Sequence, residues 1–190
     1  MRTMLAFIAI AFLSACGASA EPAPRAKITT SMGDIIVELD PDKAPASVKN
    51  FLQYAADGHF DQLIIHRVVP GFVIQGGGYN RYFRERPTRD PIPYEGDNGL
   101  KNLRGTIAMA RTSDPNSASA QWFINLKDND QLDHYVNDLG PRYGYAVFGK
   151  VVEGMDVVDA IGALATGPGG PFPSEVPVET VLINRVDLVE

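Results

Sequence analysis

An arginine and a glutamine, eight positions apart, stand out in an otherwise apolar segment of this sequence. Arg67 and Gln75 flank a Pro-Gly turn in the run IHRVVPGFVIQGGG at residues 65–78. Alternation of side chains on both sides of the turn predicts a strand, a turn and a second strand. Such a hairpin would bring Arg67, Phe72 and Gln75 to one concave apolar surface.

These residue types suit a reaction that needs no nucleophile, metal or acid–base pair. Rotation about a peptide bond has a barrier of about 18–20 kcal/mol. Before proline the cis and trans forms are close in energy, yet they exchange only over roughly tens to hundreds of seconds. An arginine near the proline nitrogen would stabilise the twisted amide more than the planar one, because the nitrogen regains its lone pair on twisting. An apolar pocket would hold the ring, and a glutamine would bind backbone.

Taken singly, each of these residues has a simpler structural interpretation. Arg67 could form a salt bridge at a sheet edge, and Gln75 could satisfy buried backbone groups. The glycines at 76–78 are not followed by the lysine and hydroxyl residue of a phosphate loop, so they indicate close backbone packing. The ordered run is far more specific than its parts.

Further motifs occur in order along the chain. The segment 27–58 predicts a hairpin followed by a helix, and NGL at 98–100 precedes GTIAMAR at 105–111. QWFIN follows at 121–125, and YAVFGKVV at 145–152 leads to a Gly-Met pair. Together with the arginine hairpin, these motifs resemble the cyclophilin-type peptidyl-prolyl isomerases, and most closely the small exported cyclophilins of Gram-negative bacteria.

The resemblance implies a set of site residues. Arg67 would be the catalytic arginine, assisted by Phe72 and Gln75. Substrate would be bound by Val73, Met109, Ala110, Arg111, Thr112, Gln121, Phe123, Gln131, Leu132 and Tyr145. Within this set, Phe72, Met109 and Phe123 would line the proline pocket, with Leu132 closing it.

Three positions depart from the common family pattern. Val73 replaces a methionine, which makes one wall of the pocket smaller. Gln131 stands where the family usually has tryptophan or another aromatic residue, so the resemblance implies weak inhibition by cyclosporin. Tyr145 replaces a histidine, as it does in exported bacterial members.

The first twenty residues have the composition of an export signal. A single arginine precedes an apolar run at residues 4–13, which is too short for a membrane span, and small residues follow. Two processing routes stay open. Ala-Ser-Ala at 18–20 fits an ordinary signal-peptide cut, whereas Leu-Ser-Ala-Cys at 13–16 resembles a lipobox that would make Cys16 the lipidated first residue. Both routes predict a periplasmic protein, with membrane contact only through a lipid.

Composition excludes several function classes. Cys16 is the only cysteine, so the processed domain has no disulfide or redox chemistry. The net charge of −6 disfavours nucleic acid, and the proline-interrupted arginine segment at 81–89 predicts a solvated loop. The three histidines, His59, His66 and His134, lack metal-ligand spacing, so no metal or other cofactor is expected. The expected partners are proline-containing unfolded or flexible polypeptides, bound by a monomer.

The chain is predicted to contain an export signal at 1–20, a linker at 21–26 and one isomerase domain at 27–190. Strands are predicted at 27–31, 34–40, 63–69, 72–76, 105–110, 121–126, 146–152 and 178–189. One helix should follow Pro45 and stop near Gly58, and a second should run from about Gly154 to Gly162. Residues 166–177, rich in glycine and proline, predict a long surface loop.

The pattern alone predicts a β-rich domain with two helices, and the resemblance makes it a closed eight-stranded antiparallel barrel capped by two α-helices. The leading hypothesis is an isomerase that assists folding of exported proteins. The alternatives are a non-catalytic module that grips proline segments, to which the changes at Val73 and Gln131 point, and an unrelated small-ligand barrel. A small-ligand barrel should have a polar site inside, whereas Ile35, Val37 and Leu39 give the inward face of their strand an apolar character, which argues against that alternative.

Overall fold

The computed structural model describes residues 23–189, so the predicted export signal and Cys16 lie outside the described residues. Within this range the chain forms thirteen strands, two α-helices and a 3-10 turn at Asp130–Leu132. The helices are α1, Pro45–Ala56, and α2, Met155–Gly162. The strands are β1 Arg25–Thr30, β2 Gly33–Leu39, β3 Leu63–Ile64, β4 Arg67–Val69, β5 Val73–Gly76, β6 Thr106–Met109, β7 Trp122–Asn125, β8 Tyr135–Asn137, β9 Gly140–Arg142, β10 Val147–Glu153, β11 Thr166–Gly169, β12 Phe172–Pro177 and β13 Leu182–Val189.

Nine of these strands form one curled antiparallel sheet, in the order β3-β13-β1-β2-β10-β6-β7-β5-β4. The mainly β architecture with two helices is confirmed, but the prediction of a closed eight-stranded barrel is wrong, because this sheet has β3 and β4 as open edges. The predicted strand at 63–69 is split between those edges. The amide of Ile65 donates to Val181 O at 3.0 Å, whereas the amide of the next residue, His66, donates to Gln75 O at 3.1 Å. The chain therefore changes sheet edge between these two residues.

The two helices begin where the sequence predicts. Pro45 opens α1, where its missing N–H costs nothing, and the chain turns away at Gly58 with φ +65°. The free amides of the first turn of α1 are bound by a distant residue. Glu95 accepts hydrogen bonds from the amides of Ala46 and Ser47, each at 2.8 Å. A carboxylate at this end also complements the helix dipole.

The core fills the space between the sheet and the helices. Ile28, Ile35 and Val37 are fully buried on the inward face of β1 and β2. From α1, Phe51 packs against Phe60 and Phe148 with ring centroids 5.2 and 5.4 Å apart. Burial of rings of this size dominates the stability of a core, so these contacts are the main ones that hold α1 in place.

The prediction of a surface loop at 166–177 is wrong. β11 and β12 form a two-stranded hairpin there, with Thr166 opposite Pro177 and Gly169 opposite Phe172. The Phe172 ring packs edge-on against Tyr79, with centroids 5.1 Å apart. Because that aromatic anchor is far away in sequence, the glycine and proline content gave the only local signal, and it favoured a loop.

Two smaller differences concern chain segments without strong alternation. A second hairpin, β8 with β9, occupies residues for which no strand was predicted, and its Val136 and Leu139 are exposed. At the other end, β1 begins at Arg25, inside the predicted linker at 21–26, because Arg25 pairs with both Glu38 and Val189 in the sheet.

Candidate active site

The cross-strand register places the predicted site residues in one row. Arg67 on β4 lies opposite Gln75 on β5, which lies opposite Phe123 on β7, which lies opposite Ala108 on β6. Residues directly opposite each other project from the same face of a sheet. The row therefore carries the guanidinium, an amide and an aromatic ring across four neighbouring strands on the face away from the core.

The neighbouring row explains why the face is fixed. Val68 lies opposite Ile74, which lies opposite Ile124, and these side chains are fully buried in the main core. Since successive residues of a strand point to opposite faces, burying this row presents Arg67, Gln75 and Phe123 on the other face. A slip of one residue would exchange the two rows, so core packing sets the position of the site.

A chain of polar contacts holds the arginine. Arg67 Nε donates to Glu175 Oε2 at 2.6 Å, and its Nη1 donates to Gln75 Oε1 at 3.3 Å. Gln75 Nε2 in turn donates to Gln121 Oε1 at 3.0 Å. A guanidinium can only donate hydrogen bonds, so the Gln75 side chain must present its oxygen to Arg67. The nitrogen of Gln75 is then left to donate to the oxygen of Gln121, which fixes the orientation of both side-chain amides. The chain ends on the Gln121 amide nitrogen, a donor.

One nitrogen of the guanidinium stays available. Among residues 23–189, Nη2 of Arg67 has no hydrogen-bond partner, and about a third of the side chain (35%) is exposed. A cation with a free, oriented donor edge at a partly dry surface can stabilise charge or a lone pair that develops on a bound molecule.

An apolar slot adjoins the row. Phe123 forms a buried cluster with Val73, Ala108 and Val147, separate from the main core. The partly buried side chains packed on this cluster are Phe72, Leu100, Ala110, Leu132 and Tyr145. The rings of Phe123 and Tyr145 meet edge to face, with centroids 5.4 Å apart. The structure thus brings together most of the apolar residues predicted for a proline pocket.

Arg111 and Thr112 form part of the predicted groove border. The Arg111 guanidinium lies 4.8 Å from the Tyr145 ring centroid and donates from Nε to Gly144 O at 3.0 Å and from Nη1 to Thr112 O at 2.8 Å. Thr112 Oγ1 donates to Ser117 Oγ at 2.8 Å. The Arg111 guanidinium is therefore held in place beside Tyr145, and its role in bordering a groove stays a prediction.

Two predicted residues are not among the side chains of the Phe123 cluster. Met109 is opposite Trp122 on the core-facing row and lines a small separate pocket with Tyr94 and Arg111. Gln131 lies in the 3-10 turn, where its Nε2 donates to Asn129 Oδ1 at 3.3 Å. Contact of either residue with substrate stays a prediction.

Glu175 is the residue of this site that the sequence does not indicate. It reaches Arg67 across 108 positions, from the hairpin that the composition predicted as a loop. Its backbone has φ +66°, a left-handed conformation that is uncommon for a residue with a side chain. That outlier is visible only in the folded chain, so no sequence signal could have found it.

His66, next to Arg67 in the chain, is buried behind the site. Burial, and secondarily the positive charge of Arg67, lower the pKa of His66 to about 4. Its ring packs against Tyr79 and Phe172, with centroids 4.9 and 5.7 Å away. The imidazole is therefore neutral at pH 7 and forms part of the packing beneath Arg67.

We expect His66 to make the protein acid-sensitive. Its pKa is about 4 when folded and about 6.5 when unfolded, so the unfolded chain binds more protons between these values. The stabilising contribution is complete above pH 6.5 and is lost as the pH falls towards 4, by about 3 kcal/mol. Urea unfolding at pH 7 and pH 4 should show a smaller acid-induced loss in His66→Asn than in the wild type. An equal loss in both proteins would contradict this assignment.

A large concavity adjoins the Phe123 cluster, with which it shares Leu100 and Val147. Its volume is about 860 Å³, and its lining includes Glu38, Asp42, Lys101 and Lys150. No member of the Arg67 row lines it. Within residues 23–189, no group of three or more acidic, histidine or cysteine side chains is placed to hold a metal ion. No helix in the described part of the chain has the length and apolar character needed to cross a membrane.

Comparison with known proteins matches this chain to one family. The sequence profile described as cyclophilin type peptidyl-prolyl cis-trans isomerase/CLD matches residues 25–188. Peptidyl-prolyl cis-trans isomerase A of Dickeya dadantii is 48% identical over 163 residues, covering 86% of this chain and 83% of that protein. Peptidyl-prolyl cis-trans isomerase B of Escherichia coli is 50% identical over 161 residues, covering 85% and 97%.

Solved structures give the same family. A cyclophilin-type peptidyl-prolyl cis-trans isomerase of Cryptosporidium parvum superposes with a TM-score of 0.70 at 26% identity, covering 88% of this chain and 98% of that one. A second structure of it, determined in the presence of the dipeptide Ala-Pro, gives 0.69 at 27% identity, covering 87% and 99%.

Proposed function

Because this chain belongs to the cyclophilin-type peptidyl-prolyl cis-trans isomerases, we propose that the face around Arg67 is where it rotates the peptide bond before proline. The chain is an isomerase, and the proposal concerns its catalytic surface and its mechanism. The single observation that carries the proposal is the register that sets the Arg67 guanidinium and the Phe123 slot in one row.

The chemistry asks little of the protein beyond a fitted environment. The barrier of about 18–20 kcal/mol arises from the partial double bond, which is lost halfway through rotation. At that point the proline nitrogen carries a localised lone pair. The free Nη2 edge of Arg67 donates to that nitrogen and stabilises the twisted amide more than the planar one. No bond to the enzyme forms, and no proton is transferred.

The neighbouring residues hold the substrate so that the twist occurs at the arginine. The cluster of Phe123, Val73 and Phe72 takes the proline ring out of water. The amide nitrogen at the end of the polar chain, on Gln121, donates to a backbone carbonyl of the substrate. Gln75 hydrogen-bonds to both Arg67 and Gln121 and so fixes the position of one relative to the other. Because the substrate is held on both sides of the rotating bond, the proline nitrogen stays next to the Arg67 donor during the twist, which lowers the barrier to rotation.

The test is the exchange rate of a short Ala-Pro peptide, measured by NMR with catalytic amounts of the protein. The proposal predicts fast exchange that disappears when a competing proline peptide fills the slot. The second candidate is a module that only grips proline segments, for which the smaller Val73 and the polar Gln131 are the motivation. It predicts chemical-shift changes at Phe123 and Leu132 without faster exchange.

We further propose that the enzyme acts in the periplasm on newly exported proteins. The support is the sequence of residues 1–20, with its short apolar run and small residues before Glu21. Slow proline isomerisation limits the folding of some proteins. Exported proteins reach the periplasm unfolded, so an isomerase there would meet its substrates as they arrive.

Mass spectrometry of the protein purified from the cell envelope distinguishes the two processing routes. The lipidated form begins at Cys16 with added acyl mass and partitions with membranes. The soluble form begins at Glu21 and appears in the periplasmic extract. An intact Met1 in the cytoplasmic fraction would contradict the proposed location.

A further inference from the structure

The β11–β12 hairpin delivers one charged side chain to the centre of the site. Glu175 Oε2 accepts a hydrogen bond from Arg67 Nε at 2.6 Å, across 108 residues of sequence. Both side chains are partly exposed, 35% for Arg67 and 41% for Glu175. An ion pair with that exposure adds little to stability, so its presence calls for another explanation.

The hairpin is built to hold this side chain in place. Phe172, at the start of β12, packs against His66, Tyr79 and Phe83, with centroids 5.7, 5.1 and 6.3 Å away. Val176, directly after Glu175, is buried. Glu175 therefore lies between two anchored positions of a short strand, so its reach towards Arg67 is set by packing.

The backbone at Glu175 supports the same conclusion. Its φ of +66° is a left-handed conformation, which carries strain for any residue with a Cβ. Gly169 and Gly170 pack against the Phe83 ring, and a Cβ on either would crowd it. The hairpin thus keeps a strained residue where glycine would be easier, and the strained residue is the one that meets the arginine.

The contact also decides which nitrogen of the arginine can reach a bound peptide. Nε is committed to Glu175 and Nη1 to Gln75, so only Nη2 has no partner among the described residues. An arginine held at one point alone would rotate about its last bonds and lose rotamer entropy on each productive contact. Held at two points, it presents Nη2 as one fixed donor.

We propose that Glu175 is a positioning residue, which orients Arg67 so that Nη2 meets the proline nitrogen in the twisted state. This inference rests on the proposed function of Arg67. Removal of the carboxylate leaves the guanidinium charged but free to turn, so catalysis weakens while peptide binding, which depends mainly on the slot, changes little.

The experiment is a double-mutant cycle on isomerisation of the Ala-Pro peptide, with kcat and KM taken from NMR exchange at several peptide concentrations. Glu175→Gln should lower kcat roughly three- to tenfold, as expected when a charge-assisted hydrogen bond is weakened, with KM within about twofold. Glu175→Ala should lower kcat further. In an Arg67→Ala background, Glu175→Gln should change nothing, because there is no guanidinium left to orient.

The matched control is Glu179→Gln, four residues along the chain. Glu179 is exposed and forms no ion pair within residues 23–189, so its variant should have the wild-type kcat. The Arg67 Nε–H resonance gives an independent readout: slow exchange with water in the wild type and fast exchange in Glu175→Ala. Urea unfolding of each variant separates loss of fold from loss of positioning.

Several results would overturn the proposal. Equal losses in both backgrounds would make Glu175 purely structural, and a higher kcat in Glu175→Gln would mean that the carboxylate weakens the arginine. If Arg67→Ala itself keeps the wild-type rate, the proposed function of Arg67 fails, which is a different outcome from an unchanged Glu175→Gln beside an inactive Arg67→Ala.

Discussion

Arg67→Ala is expected to lower kcat/KM for an Ala-Pro peptide by about 100- to 1,000-fold, the usual effect of removing one preorganised donor from a transition state. The guanidinium is the only cation in the row with Gln75 and Phe123, and its Nη2 edge is free among the described residues. Peptide affinity should fall much less, because the apolar slot remains. Exchange NMR measures the rate, and peptide titration measures the affinity.

The control for charge is Arg84→Ala. Arg84 lies on the exposed loop after β5 and its side chain makes no hydrogen bond or ion pair within residues 23–189, so this variant should keep the wild-type rate. Both variants lose one positive charge. A comparable loss in both would point to the overall field of an acidic protein rather than to a positioned guanidinium.

Trp122→Ala is expected to lower the free energy of unfolding by about 3–5 kcal/mol, because the indole is fully buried and its removal leaves a cavity. Trp122 packs edge-on against Phe60, with ring centroids 6.4 Å apart, and a Cβ on Gly77 would lie 3.1 Å from its Nε1. Such close packing leaves little room for the core to relax. Urea unfolding measures the change.

The adjacent residue gives the matched comparison. Phe123 lies on the opposite face of β7, in the slot, so Phe123→Ala should lower kcat/KM far more than Trp122→Ala does in protein that is still folded. Tyr82, a largely exposed aromatic residue (72%), controls for ring loss, and Tyr82→Ala should change unfolding by less than about 0.5 kcal/mol. Equal kinetic effects at positions 122 and 123 would contradict the two-faced strand.

The sequence was sufficient for the part of the site that depends on alternation. Arg67 and Gln75 are paired across β4 and β5 as the Pro-Gly turn predicts, and Phe123 follows from period-two alternation in QWFIN. Residues of this kind are placed by their neighbours in the chain. The same holds for the two helices, whose starts are encoded by Pro45 and Gly154.

What the sequence could not supply depends on distant partners. Glu175 meets Arg67 across 108 residues, and Glu95 caps α1 from nearly fifty residues away. The glycine- and proline-rich stretch at 166–177 folds as a hairpin whose Phe172 packs against the distant Tyr79. The break between β3 and β4 likewise depends on which backbone acceptors lie beside Ile65 and His66. Local propensity contains none of this information, since tertiary packing decides these contacts.

A crystal structure with a bound Ala-Pro peptide would show whether Arg67 acts on the proline amide. The proline ring should lie within about 4 Å of Phe123 and Val73. Nη2 of Arg67 should lie within about 2.7–3.2 Å of the proline nitrogen in a strained complex or of the adjoining carbonyl in a relaxed one. A proline ring seated in the concavity against Glu38 and Lys150, or an Arg67 side chain turned away from a proline in the slot, would contradict this assignment.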